Sequence, residues 1–129
     1  MIEIVPYSNE NKTYIKRLNI EWLNKYFAVE PTDEKQLSDP QTEIIDKGGM
    51  IFYAKYNDEI VGTATLMKVD TTIFELSKMA VTDAVQGKGI GKALIEHCLQ
   101  VAKQNHIQKL ILYSNTTLET AIAMYWIFR

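Results

Sequence analysis

Three of the chain's six glycines fall within five positions. They are Gly87, Gly89 and Gly91, with Lys88 and Ile90 between them and Lys92 after them. A β-branched and aromatic run ends upstream at Val81, and a run of helical period starts at Ile90 and reaches Asn105. This junction constrains the fold more than any other stretch. A strand that turns through glycines into a helix brings unpaired amide N–H groups and the positive end of a helix dipole to one spot. Glycine lets the backbone approach a ligand with no Cβ in the way. A single glycine would serve turn geometry alone. Three of them, alternating and accompanied by two lysines, point to a bound anion.

Two better-known phosphate loops do not fit. A Walker A loop places four residues between its glycines and follows them with Lys and Ser or Thr. Here three residues separate Gly87 from Gly91, and Ala93 follows Lys92. A dinucleotide fingerprint, Gly-x-Gly-x-x-Gly, needs its last glycine where Lys92 or Leu94 stands.

The stretches around the loop set an element order. "IEIVPY" alternates and predicts a short first strand that Pro6 ends. Ile15, Leu18, Trp22, Leu23 and Tyr26 recur at helical spacing, with Asn9 or Asn11 as a cap. "EPTDEKQLSDP" holds a short helix and a loop, and "QTEIIDKG" a further helical turn. Met50 to Val81 predicts a three-stranded antiparallel meander, with "NDE" as a tight turn. Alternation places Glu75 on one strand face with Ser77, Met79 and Val81. Ile90 to Asn105 follows as a helix, with Ile90, Leu94, Cys98, Val101 and Ala102 on one side. "QKLILYS" is a last strand. "TTLETAIAMYWIF" closes the chain as a helix with Leu118, Ile122 and Tyr125 on one face. The order β-α-α-βββ-α-β-α predicts a mixed α/β layered domain.

Composition narrows the function classes. The chain has 129 residues, 47% of them hydrophobic, which predicts one domain over 1–129 with a real core. A net charge of -2 argues against a nucleic-acid partner. Cys98 is the one cysteine, which excludes an internal disulfide and a multi-cysteine metal site. It reads as a small buried helix residue. His97 and His106 stand nine apart without a carboxylate pattern, so no metal is expected. The first residues carry no basic region followed by a long apolar run, and no apolar run has membrane-spanning length. A cytoplasmic protein with no membrane partner is the expectation.

Gln86-Gly87-Lys88-Gly89-Ile90-Gly91, with "ELSKMAV" before it and "LILYSNTTLETAIAMY" after it, resembles the GNAT acetyltransferase superfamily. The resemblance runs from about the second strand to the chain's end. It implies the acyl-CoA N-acyltransferase fold, a mostly antiparallel sheet flanked by helices. It also implies transfer of acetyl from acetyl-CoA to a primary amine of a small molecule or peptide, by direct attack. Gln86, Gly87, Lys88, Gly89, Ile90, Gly91 and Lys92 match the segment whose amides bind the CoA pyrophosphate. Met79, Ala80 and Val81 match the strand whose unpaired backbone groups bind the pantetheine arm. Asn115 stands where relatives often touch CoA, although its spacing to the later tyrosine is long and a helix cap is the alternative. Glu75 stands where some relatives carry a general base, and a rim glutamate or a water chain are the alternatives. Desolvation there would make it a better base. Tyr125 matches the "A-x-x-x-Y" tyrosine that acts as general acid toward the CoA thiolate, with a core aromatic as the alternative. Trp22 and Tyr26 match the wall of the acceptor side or its core.

The pattern departs from the family at one end. Relatives continue after the tyrosine with a lysine, Gly-Phe and two more strands, whereas here Tyr125-Trp126-Ile127-Phe128-Arg129 ends the sequence. A C-terminally truncated fold would leave the Lys109 to Ser114 strand with an uncovered edge and an apolar end. A homodimer burying that end is the expectation. The competing reading is a GNAT-like acyl-CoA-binding module with little or no turnover.

Overall fold

The computed structural model describes residues 1–26, 31–85, 87–115 and 120–126; residues 25, 26, 112–115 and 120–126 are described by their backbone alone. Strand β1 (Ile2–Pro6) leads into helix α1 (Tyr14–Tyr26) and helix α2 (Pro31–Ser38). A π-helical turn, Gln41–Ile45, precedes strands β2 (Met50–Tyr56), β3 (Glu59–Asp70) and β4 (Ile73–Val81). Helix α3 (Ile90–Gln104) then connects to β5 (Lys109–Asn115) and β6 (Thr120–Trp126).

The six strands form one mixed sheet in sequence order, β1 to β6. Every neighbouring pair is antiparallel except β4 and β5, which run parallel across the α3 crossover. The meander closes as its sequence predicts. Tyr56 pairs with Glu59, and Asn57 and Asp58 between them both take positive φ, the two-residue turn that matches strand twist.

Two apolar clusters cover the two faces. Phe52, Ala54, Ala64, Leu66, Phe74 and Leu76 pack with Ile90, Leu94, Cys98 and Ala102 of α3. Ile51 and Tyr53 pack with Ile15 and Leu37 of α1 and α2 and Ile44 of the π-helical turn. Neighbouring β2 residues thus serve opposite faces, as the period of two requires. Among the described residues, no helix is long and apolar enough to cross a membrane.

The final segment departs from the expected helix. Residues 120–126 form β6, in register with β5 from Asn115↔Thr120 to Lys109↔Trp126. Thr120, Ile122, Tyr125 and Trp126 are strand-favouring, and β5 offers a row of backbone groups that needs a partner. That demand outweighs the helical spacing of Leu118, Ile122 and Tyr125. The edge of β5 expected to lie open is therefore covered. The apolar end on which the expected dimer rests, Trp126 to Phe128, lies outside the described side chains.

Candidate active site

The β4–β5 ladder is short. It pairs Ile73 with Lys109, Phe74 with Leu110, Glu75 with Ile111 and Leu76 with Leu112, and it ends there. β4 runs on to Val81 and β5 to Asn115 with no pairing between them. Ser77 to Val81 thus has β3 on one side and, among the described residues, no strand on the other. Extended backbone with one free edge accepts another extended chain by mimicking a strand.

The glycine loop stands at the top of this split. Gly62 of β3 shows how close it comes. A Cβ on Gly62 would lie 3.1 Å from Ile90 Cγ2, 3.1 Å from Leu94 Cδ1 and 3.4 Å from Val81 Cγ2. The start of α3 therefore rests on β3 beside the end of β4, and any side chain at position 62 would have to push Ile90 and Leu94 aside. Sequence reasoning passed over Gly62, because an isolated strand glycine signals a close approach without naming its partner.

Gly87 and Gly89 take φ of 84° and 82°, and a Cβ on either would meet nothing within 4 Å. Their conformation and the open space in front of them suit close approach by a ligand. Gly91 differs: a Cβ there would sit 3.3 Å from the Met79 methyl, so its smallness serves the packing of α3 on β4. Gly89 caps α3 with no side-chain hydrogen bond, and the first helical bond runs from the Ala93 N–H to the Gly89 carbonyl. The N–H groups ahead of it are the uncapped donors of a helix start. The first turn of α3 holds no acidic residue. Lys88 is exposed, with its ammonium 5.8 Å from the centre of the Tyr56 ring. Lys92 has an exposed and weak partner in Glu96 at 4.0 Å. Gln86 lies outside the described residues.

β4 is not a regular strand. Thr63 pairs with Ala80 but Thr65 pairs with Ser77, so Lys78 and Met79 face one β3 residue where a regular ladder has one-to-one pairing. Lys78 takes a φ of 48°. This bulge corrects the expected alternation. Phe74 and Leu76 face α3, and after the bulge so do Met79 and Val81, which pack on the same cluster. Glu75 therefore does not share a face with Met79 and Val81. The extra residue shifts the side-chain period by one position.

Glu75 is half-buried on the last paired stretch of β4, between Met67 and Ile111, one residue before the last β4–β5 pair. Ala80 is buried, with 3% exposure. Asn115 ends β5 on the far side of the split, in register with Thr120. Tyr125 lies on β6, and its backbone pairs with Leu110, which in turn pairs with Phe74. That register belongs to the closed part of the ladder, and the tyrosine stands on a strand rather than on the expected helix face. Trp22 is half-buried on α1, and the Tyr26 side chain lies outside the described residues.

One residue that the sequence reading missed sits against the bulge. Asn19, 3% exposed on α1, donates from Nδ2 to the Lys78 carbonyl at 3.2 Å and to the Ile15 carbonyl at 2.9 Å. The Lys78 ammonium donates to Asp33 Oδ1 of α2 at 2.9 Å, with side-chain exposures of 15% and 21%. A polar cavity of about 340 Å³ between the β1–α1 connection and the end of α2 is lined by Tyr7, Lys12, Lys16, Ser38 and Gln41. It holds none of the candidate site residues. Among the described residues, no group of three His, Cys, Asp or Glu side chains is placed to hold a metal.

The comparisons with known proteins bear on the same elements. The chain is 30% identical over 94 residues to the uncharacterized N-acetyltransferase YvbK of Bacillus subtilis (strain 168), a match covering 67% of this chain and 61% of that protein. The matched region thus spans about three fifths of that relative's own length. In structure it is similar to an acetyltransferase of the GNAT family from Staphylococcus aureus Mu50, with a TM-score of 0.78 at 24% identity, covering 88% of this chain and 73% of that one. It is also similar to a GNAT family acetyltransferase from Elizabethkingia anophelis solved with acetyl-CoA bound, with a TM-score of 0.58 at 28% identity, covering 91% of this chain and 67% of that one. The sequence profile of the acetyltransferase (GNAT) family matches residues 15–126, from the first helix through the glycine loop to β6, and the chain belongs to that family.

Proposed function

We propose that the chain is an acetyl-CoA-dependent N-acetyltransferase acting on a primary amine of a small molecule or peptide. The observation that carries the reading is the split between β4 and β5 beyond Leu76 and Leu112, with the uncapped start of α3 beside it. The relative from Elizabethkingia anophelis, solved with acetyl-CoA, supports the choice of ligand. Gln86 to Lys92 bind the pyrophosphate, and Met79, Ala80 and Val81 bind the pantetheine amides along the free edge of β4. Asn115 approaches CoA from β5.

The chemistry follows from the groups. The amine nitrogen attacks the thioester carbonyl carbon, a C–N bond forms, and the C–S bond breaks. A free alkylamine has a pKa of about 10.4, so a base must take its proton. Glu75, or a water it orients, stands beside the split for that step. Backbone N–H groups along the unpaired stretch of β4 are the donors nearest to a developing oxyanion. Tyr125 is the proposed proton donor to the thiolate. The proposal includes a homodimer formed through the chain's end and a cytoplasmic location.

The placement of Tyr125 favours a second reading, an acyl-CoA-binding module with weak or no turnover. Its backbone register lies in the closed part of the ladder. Thiol release from acetyl-CoA across an amine panel separates the two. Turnover that falls about 100-fold or more in Glu75→Gln, and steeply in Tyr125→Phe, supports the transferase. CoA binding with no thiol release for any amine supports the module.

A further inference from the structure

Four non-glycine residues have positive φ among those described. Asn57 and Asp58 make the β2–β3 turn and His106 follows the end of α3, but Lys78 stands inside a strand. Lysine has no short polar side chain to stabilise that conformation locally. What holds Lys78 comes from the helices on the α1 face. Asn19 takes its carbonyl, and Asp33 takes its ammonium.

Asn19 is a costly choice unless both of its bonds matter. It is 3% exposed on the inward side of α1, next to Leu18 at 3%. An apolar residue would bury there without needing partners. The amide instead uses its two donors on two carbonyls, one of its own helix and one of β4. The Lys78 carbonyl is thereby turned out of the ladder toward α1. A peptide group is planar, so the direction of that carbonyl fixes the direction of the Met79 N–H. Met79 belongs to the stretch of β4 that has no β5 partner, and the β3 register skips it as well.

We infer that Asn19 is a positioning residue for acyl transfer: it sets the orientation of the Lys78–Met79 peptide where β4 parts from β5. Asp33 secures the same lysine from α2. The inference rests on the transferase reading given above. Donors fixed before the thioester arrives need no rearrangement as charge develops on it, which is how such groups lower a barrier.

Asn19→Ser separates the two bonds. A helical serine donates to the carbonyl four residues back, here Ile15, but is too short to reach β4. In ligand-free protein, the carbonyl carbon-13 resonance of Lys78, which lies downfield while that oxygen accepts a hydrogen bond, is expected to shift upfield in Asn19→Ser. With the best amine of the panel, kcat is expected to fall about tenfold while KM for acetyl-CoA and Kd for CoA stay within about threefold. Asp33→Asn, on α2, carries the same carbonyl readout if Asn19→Ser lowers the folded fraction. An unchanged Lys78 carbonyl resonance in both variants would overturn the clamp. A fall in kcat that only tracks the loss of folded protein in circular dichroism would overturn the positioning role. Wild-type protein that binds no acetyl-CoA would overturn the transferase reading and the catalytic half of this inference, while the Lys78 carbonyl resonance would still decide the clamp.

Discussion

Gly87 and Gly89 are not glycines for lack of room, since a Cβ on either would meet nothing within 4 Å. Their positive φ is one reason for them, and the open space is the other. The two reasons make separable predictions. In Gly89→Ala the left-handed backbone should cost about 1–2 kcal/mol of stability. A methyl pointing into open space should also weaken CoA binding by much more than that loss of stability explains. Thermal unfolding and calorimetric titration with CoA check the two halves independently. Wild-type affinity in a destabilised Gly89→Ala would leave the loop as turn geometry alone. Cys98 shows the opposite case at the same scale. It is fully buried, and burial pushes its thiol up to about 12, so it is packing material rather than a nucleophile.

At the scale of elements, α3 and β3 are fitted to each other through Gly62. Gly62→Val would drive branched carbons into Ile90, Leu94 and Val81, and should destabilise by about 1–3 kcal/mol while displacing the start of α3. Urea unfolding measures the first effect. Loss of CoA affinity beyond that of a comparably destabilised variant remote from the loop measures the second. The meander, α3 and the glycine loop were legible because period, turn residues and glycine spacing agree. The bulge in β4 was also written in the sequence, in the apolar spacing Phe74, Leu76, Met79, Val81, which skips one position midway. Strict alternation read past it. Asn19 was illegible for a different reason: its carbonyl partner lies 59 residues away, on an element whose irregularity had not been seen. The last segment was misread because Leu118, Ile122 and Tyr125 fit a helix. Only the unpaired edge of β5, a tertiary fact, makes a strand the better outcome.

For the whole molecule, the sheet is a partition between two apolar layers, and stability depends on both. His97 ties one titration to the α3 layer. It lies edge-on to Phe52, with ring centres 4.7 Å apart, and desolvation lowers its pKa from 6.5. The unfolded chain therefore takes up this proton first as the pH falls. The stability contributed by neutral His97 is fully present above about pH 6.5 and is lost as the pH drops toward its folded value. His97→Gln should flatten that part of the stability curve, measured as urea midpoints between about pH 5 and 7. A slope identical to wild type would place the effect on other groups. The same partition has one line of weakness. Four residue pairs join β4 to β5, against seven joining β5 to β6. In mechanical terms the sheet is a cloth with a partly unstitched seam. A load applied across the strands would concentrate at the last stitch, Leu76 against Leu112, and a molecule lying in the opening would act as the thread.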